Sequence, residues 1–190
     1  MKIGLYFGSF NPIHNGHLIV ANIARHTTDL QQVWLVVSPQ NPLKPSGTLL
    51  NEYHRLHLVK LAIQDDLHLK ASDIEFHLPK PSYTIDTLTY LKEKYPQHEF
   101  AIIMGSDSLQ NLPHWKNYQQ LIAAHSIYIY ERPGFPILNE AGANIHIIKA
   151  PLLDLSSTQI RQFIQQGISI RYMVPDAVAT EIMDNNYYKV

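Results

Sequence analysis

Short apolar segments alternate with segments of helical period along most of this chain. The run Val33–Val37 is wholly apolar, which is typical of a strand buried on both faces of a sheet. In Gly16–Thr27 the apolar residues recur instead at three- and four-residue intervals, which favours a helix. This alternation predicts an α/β fold of the Rossmann-like type. We expect an open, mainly parallel sheet with helices on both faces and a small C-terminal helical part.

The same reading assigns each element along the chain. The predicted strands are Lys2–Phe7, Val33–Val37, Ile74–His77, Glu99–Met104, Ser126–Tyr130 and Ile145–Ile148. The predicted helices are Gly16–Thr27, Asn51–Gln64, Thr84–Tyr95, Trp115–Ala124, Thr158–Gln166 and Asp176–Asn185. The longest loop, Pro39–Asn51, contains three prolines and a glycine and is predicted to be a movable flap. A chain of 190 residues should form one domain, 1–190.

Composition excludes several functional classes. Fifteen basic and sixteen acidic residues nearly balance, whereas a general nucleic-acid binder carries a basic excess. The chain has no cysteine, so it has no disulfides, thiolate metal sites or cysteine nucleophiles. No apolar run approaches the roughly 18 residues that a membrane span needs, and the first residues do not form a signal peptide. We therefore expect a cytoplasmic protein that binds neither nucleic acid nor membranes.

In an open parallel sheet, ligands bind beyond the carboxyl ends of the strands, where the strand order switches. The residues that follow the predicted strands are therefore the candidate site. They are Gly8–His17, Ser38-Pro39, Gly105-Ser106-Asp107 and Glu131-Arg132.

The segment after the first strand carries two histidines, His14 and His17, around Gly16 at a helix start. A helix N-terminus offers free N–H groups and a partial positive charge, so an anion could bind there with help from both imidazoles. Two other interpretations remain: a turn with two exposed histidines, or a zinc pair without a nearby third ligand. Neither Gly-x-Gly-x-x-Gly nor a P-loop occurs, which argues against an ordinary NAD dehydrogenase or P-loop kinase.

A second segment, Ser156-Ser157-Thr158-Gln159-Ile160-Arg161, precedes a late helix. Its serines are natural N-caps. Arg161, however, lies near the first turn, where a cation opposes the helix dipole. A phosphate at this helix end would remove the conflict, because hydroxyls, N–H groups and a guanidinium would all contact it. A solvated arginine is the alternative.

These two segments, together with others along the chain, carry a resemblance to a known family. The further segments are Asn41-Pro42-Leu43-Lys44, Ser82-Tyr83-Thr84-Ile85-Asp86-Thr87-Leu88, Gly105-Ser106-Asp107, Trp115, Arg132-Pro133-Gly134 and Ile170-Arg171-Tyr172-Met173-Val174-Pro175. The sequence resembles the nucleotidylyltransferases, and most closely the bacterial nicotinate-nucleotide adenylyltransferases. It departs from the family pattern at Asn11, where many members have Asp, and at Leu43, where a histidine is usual.

The resemblance implies adenylyl transfer from ATP to nicotinate mononucleotide, with release of pyrophosphate and with Mg²⁺ carried by the ATP. It implies no metal held by the protein itself, and it leaves a homo-oligomer open. Since the attacking phosphate is already ionised, positioning and charge stabilisation suffice. The implied catalytic residues are His14, His17, Lys44 and Arg161. The implied ATP-binding residues add Gly8, Ser9, Phe10, Gly105, Asp107, Arg132, Ser157 and Thr158.

Three residues are assigned to the mononucleotide: Asn11, Thr84 and Trp115. The ring of Trp115 could stack on a pyridine, and the helix that begins at Thr84 could receive its carboxylate. Bland alternatives stay open: core packing for Trp115, helix capping for Asp107 and simple solvent exposure for Lys44. The rival functions are adenylylation of phosphopantetheine or another small molecule, and a non-catalytic nucleotide sensor on the same fold.

Overall fold

The computed structural model describes residues 1–40, 49–139 and 141–189. Its strands are β1 (Lys2–Gly8), β2 (Gln32–Val37), β3 (Leu69–Ser72), β4 (Glu99–Gly105), β5 (Ile127–Tyr130) and β6 (Ile145–Ile148). Its helices are α1 (Asn15–Thr27), α2 (Glu52–Ala62), α3 (Thr84–Lys94), α4 (Ser106–Gln110), α5 (Tyr118–Ala124), α6 (Ser157–Gln165) and α7 (Asp176–Asp184).

The six strands form one sheet in the order β3-β2-β1-β4-β5-β6, and all five neighbouring pairs are parallel. Leu5 at the centre of β1 pairs with Trp34 on one side and Ile102 on the other. The chain moves outward from β1 to β3 and then crosses back to β4. The strand order therefore switches between β1 and β4. The predicted Rossmann-like parallel sheet is confirmed.

The central strands bury both of their faces, which explains their apolar composition. In β4, Phe100, Ile102 and Met104 join one core, while Ala101 and Ile103 join the other. Buried residues of α1, α2, α6 and α7 complete the core that contains Ala101 and Ile103. Helices α3, α4 and α5 cover the opposite face. Both faces of the sheet are thus helix-covered, as the sequence predicts.

The prediction of a strand at Ile74–His77 is wrong. These residues form a short 3₁₀ helix, and the edge strand is Leu69–Ser72. The amide of Phe76 donates to the carbonyl of Asp73, 2.8 Å away, and closes a turn directly after the strand. This turn carries the Glu75 side chain into the interior, where it is 2% exposed. An apolar-polar alternation over four residues does not distinguish such a turn from a strand.

Other differences affect helix starts. Helix α4 lies directly after β4 and was not predicted, and α5 begins at Tyr118 rather than at Trp115. None of the helices in the described ranges is long and apolar enough to cross a membrane.

Candidate active site

The predicted strand-end segments meet at the carboxyl edge of the sheet, beside the switch between β1 and β4. The loop after β1 leads into α1, and Gly105 at the end of β4 is the N-cap of α4. The amide of Ser38, just after β2, donates to the carbonyl of Gly8 at 2.9 Å. Parallel strands place these ends at one edge, which is where ligands bind in this class of sheet.

The two histidines are stacked on each other. Their ring centroids lie 3.7 Å apart, with an interplanar angle of 28°. His14 is the N-cap residue of α1, and His17 lies one turn into the helix. A Cβ on Gly16 would lie 3.0 Å from the Nδ1 and Cε1 atoms of His14. Glycine at this position therefore lets the His14 ring fold back over the first turn, which explains the His-x-Gly-His spacing.

His14 is buried and neutral at pH 7. Only 5% of the residue is exposed, and its Nδ1 has no hydrogen-bond partner among the described residues. Burial, with a smaller contribution from the positive charge of Arg132, lowers the pKa of His14 from 6.5 to about 4. A buried nitrogen without a partner is expensive unless a ligand pairs with it. The interpretation as a turn with two exposed histidines therefore fails for His14.

His17 is held in one tautomer. The backbone N–H of His14 donates to His17 Nδ1 at 3.3 Å, so this nitrogen must be unprotonated. The ring proton is then on Nε2, where it can be donated. The ring of Phe10 packs edge-on against His17 with 5.1 Å between centroids. Phe10 is 1% exposed and adopts a φ of 44°, a conformation rare for an aromatic residue. Its side chain thus supports His17 and is not available to a nucleotide.

The glycines predicted to contact ATP make room for side chains of the site itself. A Cβ on Gly8 would lie 2.9 Å from the ring of Phe10. A Cβ on Gly105 would lie 2.5 Å from Asp107 Oδ1 and 2.7 Å from Arg132 Cδ. The close approach that the sequence predicts at these glycines is therefore made, in this structure, by Phe10, Asp107 and Arg132.

The N-terminus of α6 docks on the loop after β1. Ser157 Oγ donates to the carbonyl of Pro12 at 2.8 Å, and Arg161 Nη1 donates to the carbonyl of Asn11 at the same distance. Ser156 is the N-cap, and its hydroxyl accepts from the amide of Gln159. The predicted residues of the second segment thus lie against the histidine loop. Two helix N-termini, those of α1 and α6, are brought together.

Arg161 also contacts its own helix, because its Nη2 lies 3.3 Å from Thr158 Oγ1. Thr158 is exposed at the start of α6. The guanidinium therefore lies across the first turn of the helix and bridges it to the histidine loop.

Asp107 and Arg132 form an ion pair of 3.2 Å beside Gly105. Asp107 lies in the first turn of α4. The hydroxyl of Ser106 accepts from the Arg132 backbone amide at 2.9 Å and donates to the Phe135 carbonyl at 2.6 Å. The Ser106 hydroxyl thus ties the end of β4 to the segment after β5, as expected for one continuous pocket wall.

Two of the residues assigned to the mononucleotide, Thr84 and Trp115, lie on the opposite face of the sheet from α1 and α6. Thr84 is the first residue of α3, whose N-cap, Tyr83, makes no side-chain capping bond. The turn that leads into this helix is held by Glu75. Its carboxylate accepts from Ser82 Oγ at 2.8 Å and from Thr87 Oγ1 at 2.9 Å. Burial raises the pKa of Glu75, while the hydroxyls of Ser82, Ser38 and Thr87 oppose the shift. Glu75 therefore links the α3 turn to the end of β2.

Trp115 is half-buried and packs against the core under α3, α4 and α5. Its neighbour Lys116 forms an ion pair of 2.8 Å with Asp86 in the first turn of α3. The same ammonium group lies 4.8 Å from the centroid of the Tyr83 ring. These contacts hold the segment of Trp115 beside the start of α3. Both core packing and a partly exposed stacking face are consistent with this position.

Two residues assigned from the resemblance behave differently. Asn11 is 4% exposed, and its Oδ1 accepts from the amide of Leu50 at 3.2 Å. It therefore joins the loop after β1 to the segment before α2. Lys44, with the whole of Asn41-Pro42-Leu43-Lys44, lies outside the described residues.

Sequence reasoning missed two buried charged residues, Arg55 and Glu75. Arg55 is 0% exposed, although it lies on a surface helix. A signal for it existed: Arg55 occupies the stripe of α2 that also contains Leu58 and Val59, where an apolar residue is expected. Glu75 gave no such signal, because in the predicted strand Ile74–His77 it alternates with apolar residues and is expected on the polar face.

A separate concavity of about 760 Å³ lies between the end of α6 and α7. It is lined by Ile164, Ile168, Ala179 and Met183, among others, and by none of the predicted site residues. It belongs to the C-terminal helical part and is not at the strand ends, so we do not assign the chemistry to it.

Comparison with known proteins agrees with this fold. Residues 5–163 match the cytidylyltransferase-like family. In fold, the chain is similar to a nicotinic acid mononucleotide adenylyltransferase of Plasmodium falciparum solved in complex with NaAD. The TM-score is 0.84 at 23% identity, over 98% of this chain and 97% of that one.

Two bacterial relatives are much more similar in sequence. The probable nicotinate-nucleotide adenylyltransferase of Cytophaga hutchinsonii is 51% identical over 99% of this chain and 98% of its own length. That of Flavobacterium psychrophilum is also 51% identical, over 100% of both chains. With about half of its residues shared over its full length, this chain belongs to the nicotinate-nucleotide adenylyltransferase family of nucleotidyltransferases.

Proposed function

We propose that this protein transfers the adenylyl group of ATP to nicotinate mononucleotide, giving nicotinate adenine dinucleotide and pyrophosphate, a step of NAD biosynthesis. One observation carries the assignment of the chemistry. Helices α1 and α6 begin side by side at the strand ends, and neither has an acidic residue in its first turn. Acidic residues are usually favoured there, since they complement the helix dipole. Their absence at two adjoining helix starts suits a polyphosphate.

The reaction needs no general base. The nucleophile is a phosphate oxygen of the mononucleotide, which is ionised at neutral pH. It attacks the α-phosphorus of ATP as the bond to the pyrophosphate oxygen breaks. Positioning the two reactants in line and stabilising the developing charge are then sufficient.

The hydrogen-bond donors and charges of the candidate site match this requirement. His14, neutral at pH 7, would act as a hydrogen-bond donor. His17, with its proton on Nε2, would donate to the α-phosphate or the leaving group. Arg161, anchored on the Asn11 carbonyl, would contribute its fixed positive charge to the β and γ phosphates with Ser157 and Thr158. Lys44 remains a prediction for the same role.

The residues of the site fit a Mg²⁺ ion that arrives bound to the phosphates of ATP. The donor groups around the histidine loop are imidazoles, hydroxyls, backbone amides and a guanidinium, which suit phosphate oxygens and not a magnesium ion. Among the described residues, no cluster of three or more His, Asp or Glu forms a cage for a metal. The phosphates themselves would hold the ion, which would supply charge neutralisation.

For the acceptor, we propose that the pyridine ring stacks on Trp115 and that its carboxylate binds the N–H groups at the start of α3. Tyr83 makes no side-chain capping bond, which leaves the N–H groups of Thr84 and Ile85 to a ligand, while the Asp86 amide donates to the Tyr83 carbonyl at 3.0 Å. Asn11, Gly8, Ser9, Gly105, Asp107 and Arg132 keep their predicted roles in nucleotide binding, through backbone groups where their side chains are engaged. Since both substrates are cytoplasmic metabolites, we also propose that the protein acts in the cytoplasm.

The test is pyrophosphate release with ATP and Mg²⁺. Nicotinate mononucleotide, nicotinamide mononucleotide and phosphopantetheine are compared under the same conditions. We expect strong preference for the nicotinate compound. Equal use of the two pyridine nucleotides would keep the reaction but contradict the roles of Thr84 and Trp115. ATP binding without turnover on any acceptor would favour a nucleotide sensor instead.

A further inference from the structure

Arg55 is a fully buried guanidinium whose hydrogen bonds to the described residues all go to backbone carbonyls. Its Nε donates to Leu50 at 2.7 Å, and its Nη1 donates to Ser9 at 2.5 Å and Ser38 at 2.8 Å. Its Nη2 donates to Pro39 at 3.0 Å. The planar fork of an arginine is the side chain that can serve several acceptors at fixed angles.

The four carbonyls come from three separate segments. Ser9 lies in the loop after β1 that carries the two histidines, and Ser38 and Pro39 directly follow β2. Leu50 precedes α2, and its amide is bound in turn by the Asn11 side chain at 3.2 Å. Arg55 therefore fixes the ends of two central strands relative to α2, at the edge where the candidate site lies.

The burial of this charge is costly and is offset only in part, by the charge of Glu52, which favours the charged form of Arg55 from a distance. Among the described residues no carboxylate forms an ion pair with Arg55. The nearby Glu52 is engaged with Lys80 at 2.6 Å. Desolvation lowers the pKa of Arg55, which is the expected direction for a cation removed from water. An apolar residue at this position of α2 would avoid this penalty but would leave the four carbonyls without their donor. The arginine is therefore explained by the backbone segments that it holds together.

We propose that Arg55 is a positioning residue for adenylyl transfer, which holds the backbone of the histidine loop in register with the end of β2. It touches no reacting atom in this arrangement and acts through the carbonyls of Ser9, Ser38, Pro39 and Leu50. This inference rests on the proposed function only in its kinetic test, since that test measures the proposed reaction.

The test compares three variants of the full chain: Arg55→Lys, Arg55→Met and Arg55→Ala. We expect kcat/KM for ATP to fall about 10- to 100-fold in all three, the range for a small misplacement of reacting groups. Arg55→Lys keeps the charge but loses the fork, so it should not restore activity. The KM for the mononucleotide should change less than kcat/KM for ATP, because Thr84 and Trp115 are held by other contacts, although Asn11 is linked to Arg55 through Leu50.

Chemical rescue separates positioning from simple loss of stability. Ethylguanidinium at millimolar concentration should restore part of the activity of Arg55→Ala, whereas ethylammonium, of equal charge but without the fork, should not. The matched control is Leu30→Ala. Leu30 is 1% exposed and packs under Gly4 near the amino end of the sheet. We expect this control to lower the Tm while leaving kcat and both KM values unchanged.

Full activity in Arg55→Lys would overturn the proposal. So would an activity loss in Arg55→Met no greater than that of a control with the same fall in Tm. A readout independent of turnover is the hydrogen exchange of the Ser38 and Leu50 amides in the free protein. It should accelerate at least tenfold in Arg55→Lys but not in Leu30→Ala. If the wild-type protein released no pyrophosphate, the proposed function would fail, and the exchange measurement would still decide the role of Arg55.

Discussion

The two ligand-facing sides of the site differ in how their charges are balanced. At the starts of α1 and α6 there is no acidic residue in the first turn, and Arg161 is bound by the Asn11 carbonyl and the Thr158 hydroxyl. At the start of α3, Asp86 occupies the first turn and pairs with Lys116. On the first side no described carboxylate forms an ion pair with Arg161, whereas on the second side Asp86 and Lys116 neutralise each other.

This difference separates two kinds of recognition. A triphosphate carries several negative charges, so a side with unneutralised positive charge suits it. A pyridine carboxylate carries one charge and must be distinguished from an amide of the same shape. On a neutralised surface, that distinction depends on which way donors point and not on overall charge. We therefore expect charge changes to act on ATP, and changes of geometry to act on the mononucleotide.

The largest effect is expected from His17→Ala. Loss of one donor aimed at the developing charge should lower kcat by about 10²- to 10³-fold while folding stays intact. Steady-state pyrophosphate release measures it. His17→Asn is the matched variant, because its Oδ1 can still accept from the His14 amide while the Nε2 donor is lost. It should fold as the wild type does and be equally inactive. Near-normal turnover in either variant would remove His17 from the mechanism.

The second prediction concerns the pH dependence of stability. The folded state holds His14 with a pKa of about 4, against 6.5 in the unfolded chain, so between these values the unfolded chain binds more protons. Stability is then lost as the pH falls through this window. Urea unfolding at pH 7.5 and pH 4.5 should show that the wild type loses about 2–3 kcal/mol more than His14→Asn. Equal losses in the two proteins would mean that His14 does not exclude a proton when folded.

The third prediction concerns the neutralised side. Glu75→Gln turns an amide toward one of the hydroxyls that now donate to the carboxylate, so the turn before α3 should loosen. We expect a loss of about 1–3 kcal/mol in the free energy of unfolding. The KM for nicotinate mononucleotide should rise several-fold without change in the KM for ATP. Asp73→Asn, an exposed change of charge in the same turn, is the control and should alter neither KM. A rise confined to the KM for ATP would contradict the division into two sides.

The smallest effect is expected from Gln159→Glu. This variant also tests most directly whether the α6 side and the α3 side of the site differ in their response to charge. It places an acid in the first turn of α6 and completes a capping box with Ser156. Helix stability should therefore rise by about 0.3–1 kcal/mol. The new charge should repel the triphosphate, so the KM for ATP should rise several-fold. Asp86→Asn removes the acid from the first turn of α3, so it should lower helix stability. It should leave the KM for ATP unchanged. Parallel thermal unfolding and kinetics of both variants decide this, and a lower KM for ATP in Gln159→Glu would contradict the assignment.

Much of the fold could be predicted because buried apolar residues recur along the sequence at the intervals typical of strands and helices. The wholly apolar Val33–Val37 and the spacing of Leu56 and Val59 in α2 identified a two-sided strand and a one-sided helix. The prediction of a strand at Ile74–His77 is wrong because apolar and polar residues alternate there for a different reason. In this segment Glu75 points inward because the hydroxyls of Ser82 and Thr87 donate to its carboxylate. Both residues lie outside Ile74–His77, so the four-residue pattern holds no sign of them.

The sequence by itself determined that this protein is a parallel α/β fold, and it predicts phosphate-binding groups after the first strand and before the late helix. Those features are local: the period of a strand, the Gly16 that lets His14 fold back, and an arginine in the first turns of a helix. The tertiary structure alone decided that Ser157 meets Pro12, 145 residues away. It also decided that Arg55 finds three carbonyls at two strand ends and a fourth just before α2. The physical reason is that periodicity records whether a side chain is buried, while the identity of its partner depends on how distant segments pack.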